Sequence, residues 1–118
     1  MAYSLNKLKQ ELVAKRFSED GLVAWGQNNG FGAVGALAAP MFTISRVNTK
    51  IVITPFTNRE ILFDRAIAYD KENVFDARIS GFWIYSKLKI TTKDGKVHKY
   101  SITQGKSAVK QILINLGY

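Results

Sequence analysis

A chain of 118 residues without cysteine has room for one hydrophobic core but not two, and it excludes disulfide staples, thiolate metal sites and thiol chemistry. Hydrophobic residues make up 47% and charged residues 22%, the composition of a folding domain rather than a disordered one. Seventeen Lys and Arg against nine Asp and Glu give a formal charge of +8, which favours anionic partners: nucleic acid, an acidic membrane surface or an acidic protein. The longest apolar stretch, 31–42, is interrupted by Gly32, Gly35 and Pro40 and falls short of the roughly 20 residues of a membrane-spanning helix. The first residues carry Lys7, Lys9, Lys15 and Arg16 and lack the apolar run of a secretory signal, so a cytoplasmic location is expected.

Residues 1–20 read as an N-terminal amphipathic helix. Ser4 can cap it, and Leu5, Leu8 and Leu12 recur at spacings of three and four, with Lys7, Lys9, Glu11 and Lys15 on the other side. A turn at 18–21 leads to a short strand at 22–27, then a break at Asn28, Asn29 and Gly30 and a Gly/Ala-rich passage to Pro40. From Met41 the pattern is β: strands at 41–47 and 50–56 around a tight turn at Asn48 and Thr49, further strands at 60–64 and 74–79, and a hairpin of 82–92 and 97–103. The last segment returns to helical period through Val109, Ile112, Leu113 and Leu116, with Gly117 as C-terminal cap. About seven strands with a helix at each end predict an α+β, mainly antiparallel fold.

The register of the last hairpin decides which residues face outward. A two-residue turn at Asp94 and Gly95 pairs Ile90 with Lys99 and Leu88 with Ser101, mixing polar and apolar residues on both faces. A three-residue turn, 93–95, with Gly95 in the left-handed bulge position, pairs Ile90 with His98 and Leu88 with Tyr100. One face is then apolar and the other carries Lys87, Lys89, Thr91, Lys99 and Ser101.

From about Gly21 to Gly117 the chain resembles the bacterial pleckstrin-homology-like and GRAM-like domains. The segments that carry the resemblance are Thr43-Ile-Ser-Arg-Val-Asn-Thr-Lys-Ile-Val-Ile-Thr54, Ile67-Ala-Tyr-Asp70 leading into Val74, Asp94-Gly-Lys before Tyr100, and the closing helix. The resemblance implies one domain, 21–118, forming a partly open antiparallel barrel of about seven strands plugged by the C-terminal helix, with residues 1–20 as an added helix. It also implies a binding module. The first hairpin lacks the basic phosphoinositide pattern of eukaryotic members, so no headgroup specificity is carried over.

Motifs that would mark an enzyme fail on their surroundings. Gly30-Phe-Gly-Ala-Val-Gly35 matches a dinucleotide fingerprint, but Pro40 stops the long helix that such a site needs. Gly105-Lys-Ser107 resembles the end of a phosphate-binding loop, yet Tyr100 stands where the leading glycine belongs. His98 is the single histidine, too few for a histidine zinc site, and the hairpin register turns it inward beside Ile90. Asp70, Glu72 and Asp76 lack calcium-loop spacing and lie among Lys71 and Arg78. No catalytic residue, metal or cofactor is assigned.

The expectation is a non-catalytic binding or assembly module. Alternation with Phe82, Ile84, Leu88 and Ile90 inward leaves Trp83, Tyr85, Lys87 and Lys89 outward, and Lys99 lies opposite Lys89. Trp83, Tyr85, Lys87, Lys89 and Lys99 are therefore the candidate face for an anionic partner or membrane surface, against the bland alternative that the N-terminal helix covers the aromatics and solvent the lysines. A second candidate is a homo-oligomer interface through Phe31, Leu37, Met41 and Phe42, with the chain serving as a scaffold for another protein. Nucleic-acid binding is the third alternative.

Overall fold

The computed structural model describes residues 3–27 and 41–118. Helix α1 (Leu5–Ala14) begins where the Ser4 hydroxyl accepts a hydrogen bond from the Lys7 N–H, satisfying one of the donors that a helix start leaves open. The strands are β1 (Ala24–Gln27), β2 (Met41–Val47), β3 (Lys50–Phe56), β4 (Ile67–Asp70), β5 (Val74–Ser80), β6 (Lys87–Thr92) and β7 (Val97–Ser101), followed by helix α2 (Lys106–Leu116). Among the described residues they form two antiparallel sheets, β1-β2-β3-β4 and β5-β6-β7. The α+β, mainly antiparallel expectation agrees with this architecture.

The core lies between the two sheets and α2. Phe42, Ile44, Ile51 and Ile53 from the first sheet, Leu88 and Ile90 from the second, and Val109, Ile112, Leu113 and Leu116 from α2 belong to one buried cluster. The helical stripe of α2 supplies what neither sheet buries alone. Residues 51–56 of β3 are buried throughout, because this strand is covered on both faces. Leu8 of α1 packs with Phe56 and Ile61 on the side away from the main core, with Tyr3, Trp25 and Met41 around them. Helix α1 therefore covers the first sheet and leaves the outer face of β5-β6-β7 open.

Two clamps hold the periphery. Arg46 meets Asp20 at 3.0 Å and Glu19 at 3.7 Å, and Glu19 also accepts the Asn48 N–H at 3.0 Å, which ties the segment after α1 to the β2–β3 turn. The sheets meet where Trp25 donates its N–H to the Gln104 carbonyl at 2.9 Å and accepts from the Thr103 N–H at 2.9 Å.

Several expected boundaries are corrected. Residues 60–64 are not a strand: Ile61 makes one isolated bridge to Phe56, and 63–65 form a 3-10 turn. The fourth strand comes later, at Ile67–Asp70, where two of its four residues lie exposed at a sheet edge. The segment 82–86 is not the start of β6. Gly81 turns the chain with a φ of +73° and Trp83–Tyr85 form a 3-10 turn, so the inward placement of Phe82 and Ile84 is overturned. Phe42 is 1% exposed, with its ring 5.3 Å from Tyr100, and within the chain it belongs to the core with Ile44.

Inside the core the Tyr69 and Tyr100 hydroxyls share a hydrogen bond. Burial, which disfavours the phenolate, raises the pKa of both above the usual value of 10.0. Tyr100→Phe leaves the Tyr69 hydroxyl buried and unpartnered and is expected to cost about 1–3 kcal/mol, whereas the double phenylalanine variant costs less than the sum of the two singles. A raised folded-state pKa means that the native chain keeps protons which the unfolded chain releases. The contribution is complete below about pH 10 and is lost as pH rises beyond it. Urea midpoints measured across alkaline pH should fall less steeply in the double variant.

Candidate functional site

Register brings together residues that are distant in sequence. Lys89 of β6 lies opposite Arg78 of β5 on one side and Lys99 of β7 on the other, so three cations stand abreast on strands about 5 Å apart. One row along, Lys87 sits between Ser80 and Ser101. The hairpin pairing that produces this face, Ile90 with His98, Leu88 with Tyr100 and Lys89 with Lys99, is the one the three-residue turn predicts, with Gly95 at a φ of +88°.

Like charges directly opposite each other are destabilising by several tenths of a kcal/mol per pair. Asp76 relieves one end, meeting Arg78 at 3.2 Å, but both groups are well exposed and the pair is weak. Among the described residues no salt bridge joins Lys87 or Lys89 to a carboxylate. The outer face of β5-β6-β7 is thus a basic platform, and among the described residues no ion pair neutralises its Lys87 and Lys89.

Beside the Ser80–Lys87 row the β5–β6 connection projects four consecutive apolar side chains. Phe82, Trp83, Ile84 and Tyr85 are 75%, 76%, 66% and 70% exposed. Their backbone is fastened while their side chains are not. The Tyr85 N–H donates to the Phe82 carbonyl at 3.1 Å, the buried Ser86 hydroxyl to the Trp83 carbonyl at 2.9 Å, and the Ile102 N–H to the Ser86 carbonyl at 3.0 Å. Trp83 has a φ of +58°, a left-handed conformation that costs a non-glycine residue about 1 kcal/mol or more. A cleft of about 470 Å³ opens at the foot of this loop, between Trp83 and Ile84 on one side and Ser101, Gln104 and Lys106 on the other.

Lys87, Lys89 and Lys99 thus share one face of the second sheet, and Trp83 and Tyr85 stand exposed on the turn at its end, just before β6. Helix α1 does not cover them. Sequence alternation missed Arg78, whose place in the row depends on the non-local β5–β6 pairing, and missed Phe82 and Ile84; the Ser80-Gly81 dipeptide was the available turn signal. Of the oligomer strip, Met41 packs beside Phe56 under α1, Phe42 is in the core, and Phe31 and Leu37 lie outside the described residues, as does the glycine motif at 30–35.

The remaining candidates have structural tasks. His98 is half-buried with its ring 5.2 Å from Tyr69. Asp70 accepts from the Thr49 hydroxyl at 3.2 Å and caps the turn at 71–73, while Asp76 holds Arg78, so the three acidic residues do not converge. Gly105 starts α2 at a φ of +97° where a Cβ would meet the Ala24 Cα at 2.7 Å. Comparison with protein-family models, with curated proteins and with solved structures finds no match.

Proposed function

We propose that the protein is a non-catalytic binding module of pleckstrin-homology-like build that engages an anionic surface through the outer face of β5-β6-β7. The observation that carries this is the row Arg78, Lys89 and Lys99 abreast, maintained although adjacent strands then oppose like charges. A positive platform of this kind attracts an external anion. The element order, with two antiparallel sheets and a closing helix, supports the partly open barrel that the family resemblance implies.

The oligomeric-scaffold alternative has less support, since Met41 and Phe42 are engaged within the chain. Near an acidic membrane each lysine or arginine contributes about 1 kcal/mol. Three cations acting together give about 3 kcal/mol, a preference of roughly a hundredfold over an uncharged surface. Sedimentation with vesicles of phosphatidylcholine, with and without phosphatidylserine, tests this. The wild-type chain is expected to partition into the acidic vesicles alone and to be released as salt shortens the screening length from about 8 Å toward 3 Å. Equal partitioning into both vesicle types, unaffected by salt, would sink the proposal.

A further inference from the structure

We infer that the Phe82–Tyr85 loop is a bilayer-inserting wedge, and hence that the anionic surface this protein recognises is the face of an acidic lipid membrane. The inference rests on the basic face being the binding face and adds which partner it meets and how. Four adjacent apolar side chains, each at least 66% exposed, sit on a turn whose backbone is held by hydrogen bonds from Tyr85, Ser86 and Ile102. Gly81 makes the turn tight: a Cβ there would lie 2.5 Å from the Tyr85 carbonyl oxygen. The loop is fixed in shape and presents side chains that the chain itself does not bury, which calls for an external apolar medium.

The dimensions fit a membrane interface. Amphipathic elements bury their apolar side about 5–10 Å into the boundary between headgroups and acyl chains. Rows on one face of a strand are about 7 Å apart. With the loop inserted to that depth and the strands standing toward the bilayer, Lys87 reaches the phosphate layer. Arg78, Lys89 and Lys99 then follow one row behind, still within the screening length of about 8 Å. Trp83 and Tyr85 suit the headgroup level, each joining an apolar ring to a polar tip, and Phe82 and Ile84 suit the acyl side.

Other occupants fit less well. A second copy of this chain docked face to face would set one basic row against another, each copy already carrying a charge of +8. Nucleic acid offers stacking partners to Phe82, Trp83 and Tyr85, but none to Ile84. An acidic protein would need a pocket for four projecting side chains, whereas a fluid bilayer needs no preformed one.

The test uses the full chain and vesicles of equal parts phosphatidylcholine and phosphatidylserine, some with brominated acyl chains. Trp83 emission is expected to shift to the blue and to be quenched by the bromines. Trp83→Phe, which retains an apolar ring but leaves Trp25 as the only indole, should lose that signal while still sedimenting. Replacing Phe82, Trp83, Ile84 and Tyr85 together by serine should lower partitioning more than about tenfold without lowering the thermal midpoint. Wild-type protein that sediments while Trp83 is neither shifted nor quenched would overturn the wedge and leave the basic face standing. Binding to a polyanion such as RNA, with no binding to vesicles, would overturn the wedge and the membrane assignment and leave the basic face standing. Failure to bind any of these anionic probes would overturn the wedge and the basic face together.

Discussion

Replacing Gly26 by alanine is expected to remove much of the stability of the fold. A Cβ at this position would lie 1.7 Å from the carbonyl oxygen of Ser101 and 3.2 Å from the tip of Phe42. The first contact is backbone, which cannot turn aside as a flexible side chain would. Gly26 is where β1 crosses the end of β7, next to the Trp25–Gln104 bridge that joins the two sheets. Ordinary overpacking costs about 1–3 kcal/mol. Here strand β1 must move off β7 as a unit, with loss of the Trp25 and Thr103 backbone bonds, so a cost on the order of 4 kcal/mol or more is expected, much of the stability of a small domain. Gly95 is the control. A Cβ there meets nothing within 4 Å, and only its φ of +88° opposes the change, so Gly95→Ala should cost about 1 kcal/mol. Urea midpoints of the two variants compared with wild type measure the difference. Equal, small losses would mean that the two sheets are not closely joined at β1 and β7.

What was legible in the sequence was local. Strands β2 and β3 have the bounds that their β-branched runs predict, because Asn48 and Thr49 interrupt a pattern with no competing register. The β6–β7 pairing was legible because a shift of one residue would have mixed Lys99 and Ser101 with Ile90 and Leu88 on one face. The errors arose where tertiary structure overrides period. Ile61 and Phe63 look like strand residues but are drawn under α1 and beside Phe17, the last contact an edge-on ring pair at 4.9 Å. Apolar residues at 82–85 continue an alternation that the backbone abandons at Gly81. Arg78 joins the basic row only through pairing with a strand beyond the loop, which no local pattern encodes. The burial of Phe42 follows from the two sheets closing over α2.

Reversing the basic platform should separate its role in binding from its role in the fold. In the variant with Lys87→Glu, Lys89→Glu and Lys99→Glu, Arg78 faces a carboxylate in place of a cation, and the repulsion between two cations at positions 89 and 99 is replaced by one between two carboxylates. Lys87, between two serines, has no like charge directly opposite it. The fold is therefore expected to hold, with a change within about 1 kcal/mol, a few degrees in thermal midpoint. Binding changes far more. Three attractions become three repulsions, each cation having contributed about 1 kcal/mol near an acidic surface, so partitioning into acidic vesicles should fall by at least about a hundredfold. The decisive measurement is sedimentation of this triple variant with phosphatidylserine-containing vesicles, with the thermal midpoint taken on the same preparation. A variant that melts near the wild-type temperature and stays in the supernatant is the result predicted; one that melts there and sediments as wild type does would contradict the assignment of this face.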